Sequence, residues 1–152
     1  MAPPTKAQIT RLFAPLAVQG RQPETLALLA DNVDWTICGN SPMSARYTSK
    51  QDFMENTLKV LRERVLTEPL RLQVRNVVVS GGGESEGQGE GKDEEIDGDA
   101  VVELEALDAW CKNGLAYDMR YCWVCKFAAG KIVQVRAYID TDLLTRAMQQ
   151  NP

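Results

Sequence analysis

The strongest constraint on the fold is a change in the spacing of apolar residues at Pro69. Before it, apolar side chains recur at helical spacing over 5–18 and 49–66, where Thr5 and Ser49 (or its neighbour Thr48) are the expected N-caps. After it, apolar and polar residues alternate, which is typical of half-buried strands. A chain with helices first and strands last is expected to fold as α+β. The helices then pack on one face of a curved antiparallel sheet.

Turn signals divide the second half into four consecutive strands. Asn113-Gly114 and Ala129-Gly130 each predict a two-residue hairpin turn. The predicted strands are 70–78, 100–111, 115–127 and 131–140, followed by a last helix over 142–149 that Thr141 or Asp140 would cap. A short helix over 23–29 and a short strand over 33–38 lie between the two long helices. We expect residues 1–152 to form one domain.

The acidic charge of the chain is concentrated in one segment. Residues 81–99 hold eight acidic side chains against Lys92, while the remaining residues sum to +3. This Gly-rich stretch is too polar to form a core. It predicts a flexible loop inserted between two sheet strands. The nearly neutral body gives no sign of nucleic-acid binding.

The complete absence of histidine limits the chemistry. Ser-His-Asp and Cys-His nucleophile systems are excluded, and the commonest transition-metal ligand is missing. Cys122 and Cys125 form a CxxC pattern, but residues three apart in a strand point to opposite faces. We therefore expect no metal and no cofactor, and any acid–base chemistry must use carboxylates, tyrosines, lysine, arginine or water.

Hydropathy predicts neither a membrane span nor a signal peptide. No apolar run approaches the ~20 residues that a membrane helix needs. The N-terminal segment also lacks the apolar core of a secretory signal. The four cysteines are too few and too scattered to form a disulfide scaffold. A cytoplasmic protein is the expectation.

The two predicted hairpins place the aromatic residues of the sheet on one face. With two-residue turns, Trp123 pairs with Arg136 and Tyr121 pairs with Tyr138. That face then contains Leu104, Ala106, Tyr117, Met119, Tyr121, Trp123, Phe127, Arg136, Tyr138 and Asp140. Apolar walls with a few polar groups are typical of a ligand pocket. A dimer interface with a buried ion pair is the alternative, and the sequence pattern alone is compatible with both interpretations.

Several stretches resemble the SnoaL-like branch of the nuclear transport factor 2-like (NTF2-like) superfamily. They are "LLADNVDWTICGNSPMSARYTSKQDF", "VVELEA", "NGLAYDMRYCWV" and "GKIVQVRAYIDTDLL". The resemblance implies a cone: a strongly curved antiparallel sheet wrapped around helices, with an apolar cavity inside. It also implies a small apolar ligand of polyketide, terpenoid or steroid type, and a homodimer through the outer sheet face.

The resemblance further implies candidate residues for catalysis. Arg136, Tyr138 and Asp140 match the terminal Arg-x-Tyr-x-Asp of many SnoaL-like proteins. In a cofactor-free isomerase, cyclase or hydro-lyase, Asp140 (or Glu105) would be the acid–base group. Tyr121 and Tyr138 (or Tyr47) would donate hydrogen bonds to a developing enolate oxygen. The expected pocket residues are Trp35, Tyr47, Leu104, Tyr117, Met119, Trp123 and Arg136.

A non-catalytic alternative remains open beside this hypothesis. Ala137 follows Arg136 where the epoxide hydrolases of the superfamily have an aspartate, and the carboxylates of the ketosteroid isomerases are also missing. These departures favour a ligand-binding or dimerisation module. In that case Asp140 caps the last helix and pairs with Arg136.

Overall fold

The computed structural model describes residues 2–80 and 92–152, and within them helices precede most of the sheet. The helices are α1 Lys6–Phe13, α2 Gln22–Leu26, α3 Lys50–Asn56, α4 Leu58–Val60 and α5 Thr141–Gln150. Short 3₁₀ turns cover Ala14–Ala17 and Asp93–Glu95, and a π-helical turn covers Leu61–Val65. The strands are β1 Leu29–Ile37, β2 Ala45–Tyr47, β3 Leu72–Val79, β4 Gly98–Ala106, β5 Arg120–Ala128 and β6 Lys131–Ile139.

The six strands form one curved, open sheet in the order β2-β1-β6-β5-β4-β3. Four of the five pairings are antiparallel, but β1 runs parallel to β6. The α+β class is thus confirmed, with a mixed sheet where the sequence predicted an antiparallel one. The parallel pair is possible because β1 and β6 are far apart in the chain, and the long connection between them contains α3, α4 and strands β2 to β5.

Local sequence explains where the helices begin and bend. Thr5 caps α1 and exchanges hydrogen bonds with Gln8 in a capping box. Ser49 caps α3 by accepting a hydrogen bond from the Asp52 N–H. The predicted long helix over 49–66 is interrupted at Thr57, whose backbone leaves the helical region. The Thr57 hydroxyl donates to the Phe53 carbonyl at 2.6 Å, a bond that often bends helices.

The hairpin between β5 and β6 contains the irregularity that matters most for the site. Ala129 and Gly130 both have positive φ, as a two-residue type I′ turn requires. Beyond the turn, Phe127 pairs with Ile132 but Lys126 pairs with Gln134. Val133 is therefore the extra residue of a β-bulge, and the register from there on is shifted by one residue.

The hairpin between β4 and β5 differs from prediction without changing faces. Asn113-Gly114 lies in a tight turn, since the Cys111 N–H donates to the Leu115 carbonyl around a three-residue loop. A second extra residue lies near Asp108, which has a positive φ of 43°. Because the two single-residue shifts add up to two residues, each side chain of β4 and β5 stays on its predicted face of the sheet. Leu104 pairs with Tyr121, and both remain on the inner face.

The acidic segment is partly within the described residues. Residues 81–91 lie outside them, so the predicted flexible loop stays a prediction there. Residues 92–97 contact the N-terminal region. Asp93 forms a bidentate ion pair with Arg11, and the buried Ile96 forms an isolated β-bridge with Ala2. Because β4 begins at Gly98, the segment outside the sheet ends before the predicted residue 99.

Within the described parts of the chain, every helix falls short of the length and apolar character that a membrane crossing needs. The core lies between the concave inner face of the sheet and the helices. Large side chains fill it, including Phe13, Val33, Val65, Leu66, Val102, Leu104, Phe127 and Leu144.

Candidate functional site

A small apolar cavity lies between the inner face of the sheet and the helical segment 50–65. Its volume is about 50 Å³, enough for only a few water molecules. Its walls come from strands β1, β3, β5 and β6, from helices α3 to α5, and from the loops between them. The lining residues are Trp35, Ile37, Met43, Phe53, Thr57, Leu58, Leu61, Leu70, Leu72, Tyr117, Tyr121, Trp123, Ala137, Ile139 and Leu144.

Four aromatic rings form a continuous wall of this cavity. Trp35 stacks on Phe53 with ring centroids 3.9 Å apart. Trp123 meets Trp35 edge-on at 5.0 Å, and Tyr121 meets Trp123 edge-on at 6.1 Å. Offset stacking and edge contacts of this kind stabilise an aromatic pair by about 0.5–1.5 kcal/mol beyond the burial of its surface. These contacts hold the four rings together as one wall.

Two tyrosine hydroxyls provide a polar point on this wall. The hydroxyl oxygens of Tyr117 and Tyr121 are 3.4 Å apart, within hydrogen-bond distance. Burial raises the pKa of Tyr117 to about 12, and burial together with the adjacent Tyr117 raises the pKa of Tyr121 well above 10. Both phenols are thus neutral near pH 7. One hydroxyl proton remains available to a ligand when the other serves the pair.

Two buried polar groups of the lining residues lack partners among the described residues. The indole Nε1 atoms of Trp35 and Trp123 are buried, and neither donates a hydrogen bond to any described residue. Leaving a buried donor unsatisfied costs about 1–3 kcal/mol, so such groups are rare in folded proteins. Both residues line the cavity.

The lining lacks formal charge. Among its residues, as described, there is no carboxylate, lysine or arginine. The described residues also contain no group of three or more cysteine, aspartate or glutamate side chains that could hold a metal ion. The cavity can therefore bind apolar surface, but it supplies no counter-charge to an ion.

Four of the predicted pocket and catalytic residues line the cavity: Trp35, Tyr117, Tyr121 and Trp123. Leu104 and Met119 are fully buried in the core beside it. Tyr47 is also buried. Its hydroxyl donates to the Met43 carbonyl at 2.7 Å, and its ring packs against Phe53, so it supports the wall from behind.

Arg136 and Tyr138 lie on the opposite side of the sheet from the cavity. The predicted pairings of Trp123 with Arg136 and of Tyr121 with Tyr138 are wrong by one residue. Trp123 pairs with Ala137, and Tyr121 pairs with Ile139. The physical reason is the bulge at Val133, which turns the Ala137 and Ile139 side chains inward and leaves Arg136 and Tyr138 exposed.

Asp140 is an exposed helix cap. It is the N-cap of α5, and its carboxylate accepts a hydrogen bond from the Leu143 N–H at 3.0 Å. It does not line the cavity, and the ion pairs of the described residues do not include the expected Arg136–Asp140 pair. Glu105, the other carboxylate considered, faces the outer side and pairs with Arg75 at 3.4 Å.

Sequence reasoning missed the helical wall of the cavity. Phe53, Thr57, Leu58 and Leu61 share one face at helical spacing, a signal that identifies a buried face but cannot tell packed core from cavity lining. Ala137 was missed because the predicted register placed it on the outer face.

No protein-family profile and no curated protein sequence matches the chain. Solved structures do resemble it. An NTF2-like protein of unknown function from Burkholderia pseudomallei has a TM-score of 0.61 at 20% identity, covering 91% of this chain and 94% of that one. The chain has the NTF2-like fold. This agrees with the fold that the sequence resemblance implied.

Two further structures share this NTF2-like fold. A proposed isomerase from Bacillus subtilis has a TM-score of 0.64 at 17% identity, covering 91% of this chain and 88% of that one. A hypothetical protein from Catenulispora acidiphila with a ketosteroid isomerase-like fold, in complex with trimethylamine, has a TM-score of 0.60. Its identity is 9%, and the match covers 98% of this chain and 96% of that one.

Asp140→Ala is expected to lower the free energy of unfolding by about 1 kcal/mol, because it removes the N-cap of α5. Asp140→Asn keeps a capping oxygen and should change it by only a few tenths of that amount. Urea denaturation of the three proteins measures both values. Equal stability of Asp140→Ala and the original chain would contradict the capping role.

Stability at high pH should depend on the buried tyrosine pair. The folded pKa of Tyr117 lies above that of the unfolded chain, so its neutral phenol contributes stability that is fully present below pH 10. That contribution is lost as the pH rises from 10 towards about 12, and it amounts to roughly 2–3 kcal/mol. Denaturation at a series of pH values should therefore show a smaller alkaline loss for Tyr117→Phe. The exposed-tyrosine variant Tyr138→Phe is the control, and an unchanged alkaline loss in Tyr117→Phe would contradict the assignment.

Proposed function

We propose that this protein binds a small, neutral, apolar molecule in the cavity lined by Trp35, Trp123 and Tyr121. The observation that carries the proposal is a continuous aromatic wall that includes the hydroxyl-bearing Tyr121, with no charged side chain among the described lining residues. Such a combination of apolar surface with a few polar atoms is typical of small-molecule sites.

Binding without catalysis is the function that the geometry supports better. An isomerase, cyclase or hydro-lyase of the kind considered needs a base within hydrogen-bond reach of its substrate. Asp140 and Glu105 lie outside the cavity, and the raised pKa values of Tyr117 and Tyr121 make these phenols poor bases at neutral pH. The tyrosines retain the ability to donate a hydrogen bond to a ligand oxygen. Catalysis, which the resemblance to the SnoaL-like branch implies, is the second candidate function.

A small amine is an alternative ligand. The Catenulispora protein of the same fold was solved with trimethylamine, and the cavity here is walled by aromatic rings, whose faces attract cations. Against it, no described lining residue offers the ammonium group a carboxylate. Tetramethylammonium is therefore a useful probe beside neutral ligands.

We also propose that two copies pair through the outer face of the sheet, in the cytosol. Val101, Cys122 and Val124 are partly exposed at the centre of that face, and Val78 and Tyr138 are 52% and 49% exposed. Exposed apolar residues grouped on one sheet face favour a two-fold contact. Four free cysteines favour a reducing compartment.

The dimer proposal is tested by light scattering on the purified chain. We expect twice the chain mass, and Tyr138→Asp should shift it towards the monomer because it places a charge in the contact. Trp110→Asp changes an equally exposed aromatic residue, 52% exposed, in the segment between β4 and β5, and should leave the mass unchanged. A monomeric original chain would contradict the proposal.

The binding proposal is tested by closing the cavity. Leu58 is partly exposed and lines the cavity, so Leu58→Trp should fill the space with a larger, mostly apolar ring system. Lys59→Trp adds the same bulk to the next residue, which is exposed and does not line the cavity. Calorimetric titration with acetone and with isobutene, its hydrocarbon analogue, both small enough for a cavity of this size, should show binding that Leu58→Trp weakens at least tenfold.

The control variant Lys59→Trp should bind as the original chain does. If Leu58→Trp also binds normally, the ligand lies elsewhere. If the original chain binds none of the small apolar probes, the proposed function is wrong.

A further inference from the structure

The volume of the apolar cavity limits the size of its ligand. The space between the sheet and the helical segment 50–65 is about 50 Å³. Sites for drug-sized ligands have volumes of about 300–1,000 Å³, and a cavity of about 150 Å³ holds benzene, a molecule of six heavy atoms. The cavity is therefore several-fold too small for a ligand of the polyketide, terpenoid or steroid type that the sequence resemblance implies.

The sheet side of the cavity is held in place by strand pairing. Trp123 pairs with Ala137 across β5 and β6, and Trp35 pairs with Val135 across β1 and β6. All three strands have a paired neighbour on each side, so none of them is an edge strand. Trp35 is also stacked on Phe53 with ring centroids 3.9 Å apart, which joins the sheet to α3. Enlarging the cavity on this side would break main-chain hydrogen bonds or the ring stack.

The helical side of the cavity is hydrogen-bonded to the segment between β4 and β5. The Lys112 N–H donates to the Val65 carbonyl at 2.8 Å, and the Lys112 ammonium group donates to the Glu63 carbonyl at 2.6 Å. The Thr67 N–H donates to the Trp110 carbonyl at 2.9 Å. These bonds oppose an outward movement of the helical segment, because it would leave main-chain groups without their partners. The walls on both sides thus favour a cavity that keeps its volume.

We propose that the cavity selects its ligand by size and takes an uncharged apolar molecule of no more than about four heavy atoms, such as isobutene. The inference rests on the proposed binding function and narrows the ligand class of that site. Scaled from the cavity that holds benzene, a volume of about 50 Å³ takes about two to four heavy atoms. Ions of the same size are excluded, because no described lining residue supplies a counter-charge.

Leu61 sets the size limit on the helical side. It is 5% exposed, lines the cavity and begins the π-helical turn, in which its carbonyl accepts a hydrogen bond from the Leu66 N–H at 2.8 Å. Leu61→Ala shortens this lining side chain to a methyl group, so it should enlarge the cavity towards the volume that benzene needs. Leu66 offers the matched control, because it is a leucine of the same region, 1% exposed, that does not line the cavity.

The experiment follows the indole N–H signals in ¹H–¹⁵N spectra. Trp35 and Trp123 line the cavity, so a molecule that enters it changes the surroundings of both rings and shifts their signals. Trp110 is 52% exposed and lies outside the cavity, and the loss of a signal in Trp110→Phe identifies it. The chain is titrated with isobutene, benzene and cyclohexanone into the millimolar range, because so small a ligand gains little free energy on binding.

We expect isobutene to shift the signals of Trp35 and Trp123 in a saturable way and to leave the Trp110 signal in place. Benzene and cyclohexanone should bind the original chain at least about tenfold more weakly than isobutene does, because neither fits the space. In Leu61→Ala, benzene should shift the two cavity signals. In Leu66→Ala, benzene should affect these signals no more than it does in the original chain.

The size limit and the proposed function can fail separately. If benzene shifts both cavity signals of the original chain and binds as tightly as isobutene, the size limit is wrong and the proposed binding function stands. If no probe shifts these signals, the inference and the proposed function are both wrong. If benzene shifts the cavity signals equally in Leu66→Ala and Leu61→Ala, Leu61 does not set the limit. The first two results are read on the original chain, so neither depends on a variant that fails to fold.

Discussion

The pairing of β6 with β5 decides which side chains face the cavity, because β6 lies inside the sheet and contributes to both of its faces. The bulge at Val133 allows Ile132, Val135 and Ala137 all to be buried. A regular strand with the same turn would instead bury Arg136, at a desolvation cost that no described carboxylate on the inner face could offset. The bulge therefore keeps charge out of the cavity. The small Ala137 side chain at the inward position leaves the cavity room.

Much of the architecture was predictable from local signals. The change of period at Pro69, the capping residues Thr5 and Ser49, and the type I′ turn at Ala129-Gly130 each have a local cause that the sequence displays. The inward and outward faces of β4 and β5 were also predicted correctly. This holds only because the two one-residue register shifts near Asp108 and Gly114 add up to two residues, which leaves each side chain on its predicted face. The bulge on β6 is a single one-residue shift without a second one to offset it. Beyond the bulge, the inward and outward faces of that strand were therefore exchanged in the prediction.

The aliphatic pattern of β6 held the information needed to avoid this error. Val135, Ala137 and Ile139 alternate with Gln134, Arg136 and Tyr138, and burying the aliphatic set costs far less free energy than burying an arginine. The geometry of the two-residue turn predicted that Arg136 and Tyr138 face inward, whereas the free energy of burial favours Val135, Ala137 and Ile139 on that face. A bulge resolves such a conflict by accepting one unpaired residue, and Val133 is that residue. The same alternation keeps Arg136 and Tyr138 together on the outer face, so the resemblance at the end of β6 identifies a fold more reliably than a site.

The contents of the cavity explain why fold and chemistry separate here. The polar groups of its aromatic lining residues are two phenols with raised pKa values and two indoles, all of which are neutral over the physiological range, whereas Asp140, the carboxylate considered for catalysis, serves as a helix cap. Neutral donors in an apolar space stabilise a ligand oxygen whether or not a reaction follows, but they cannot remove a proton from carbon. In this sequence the inward positions around the cavity are occupied by Trp123, Ala137 and Ile139, whose burial costs far less free energy than that of a carboxylate.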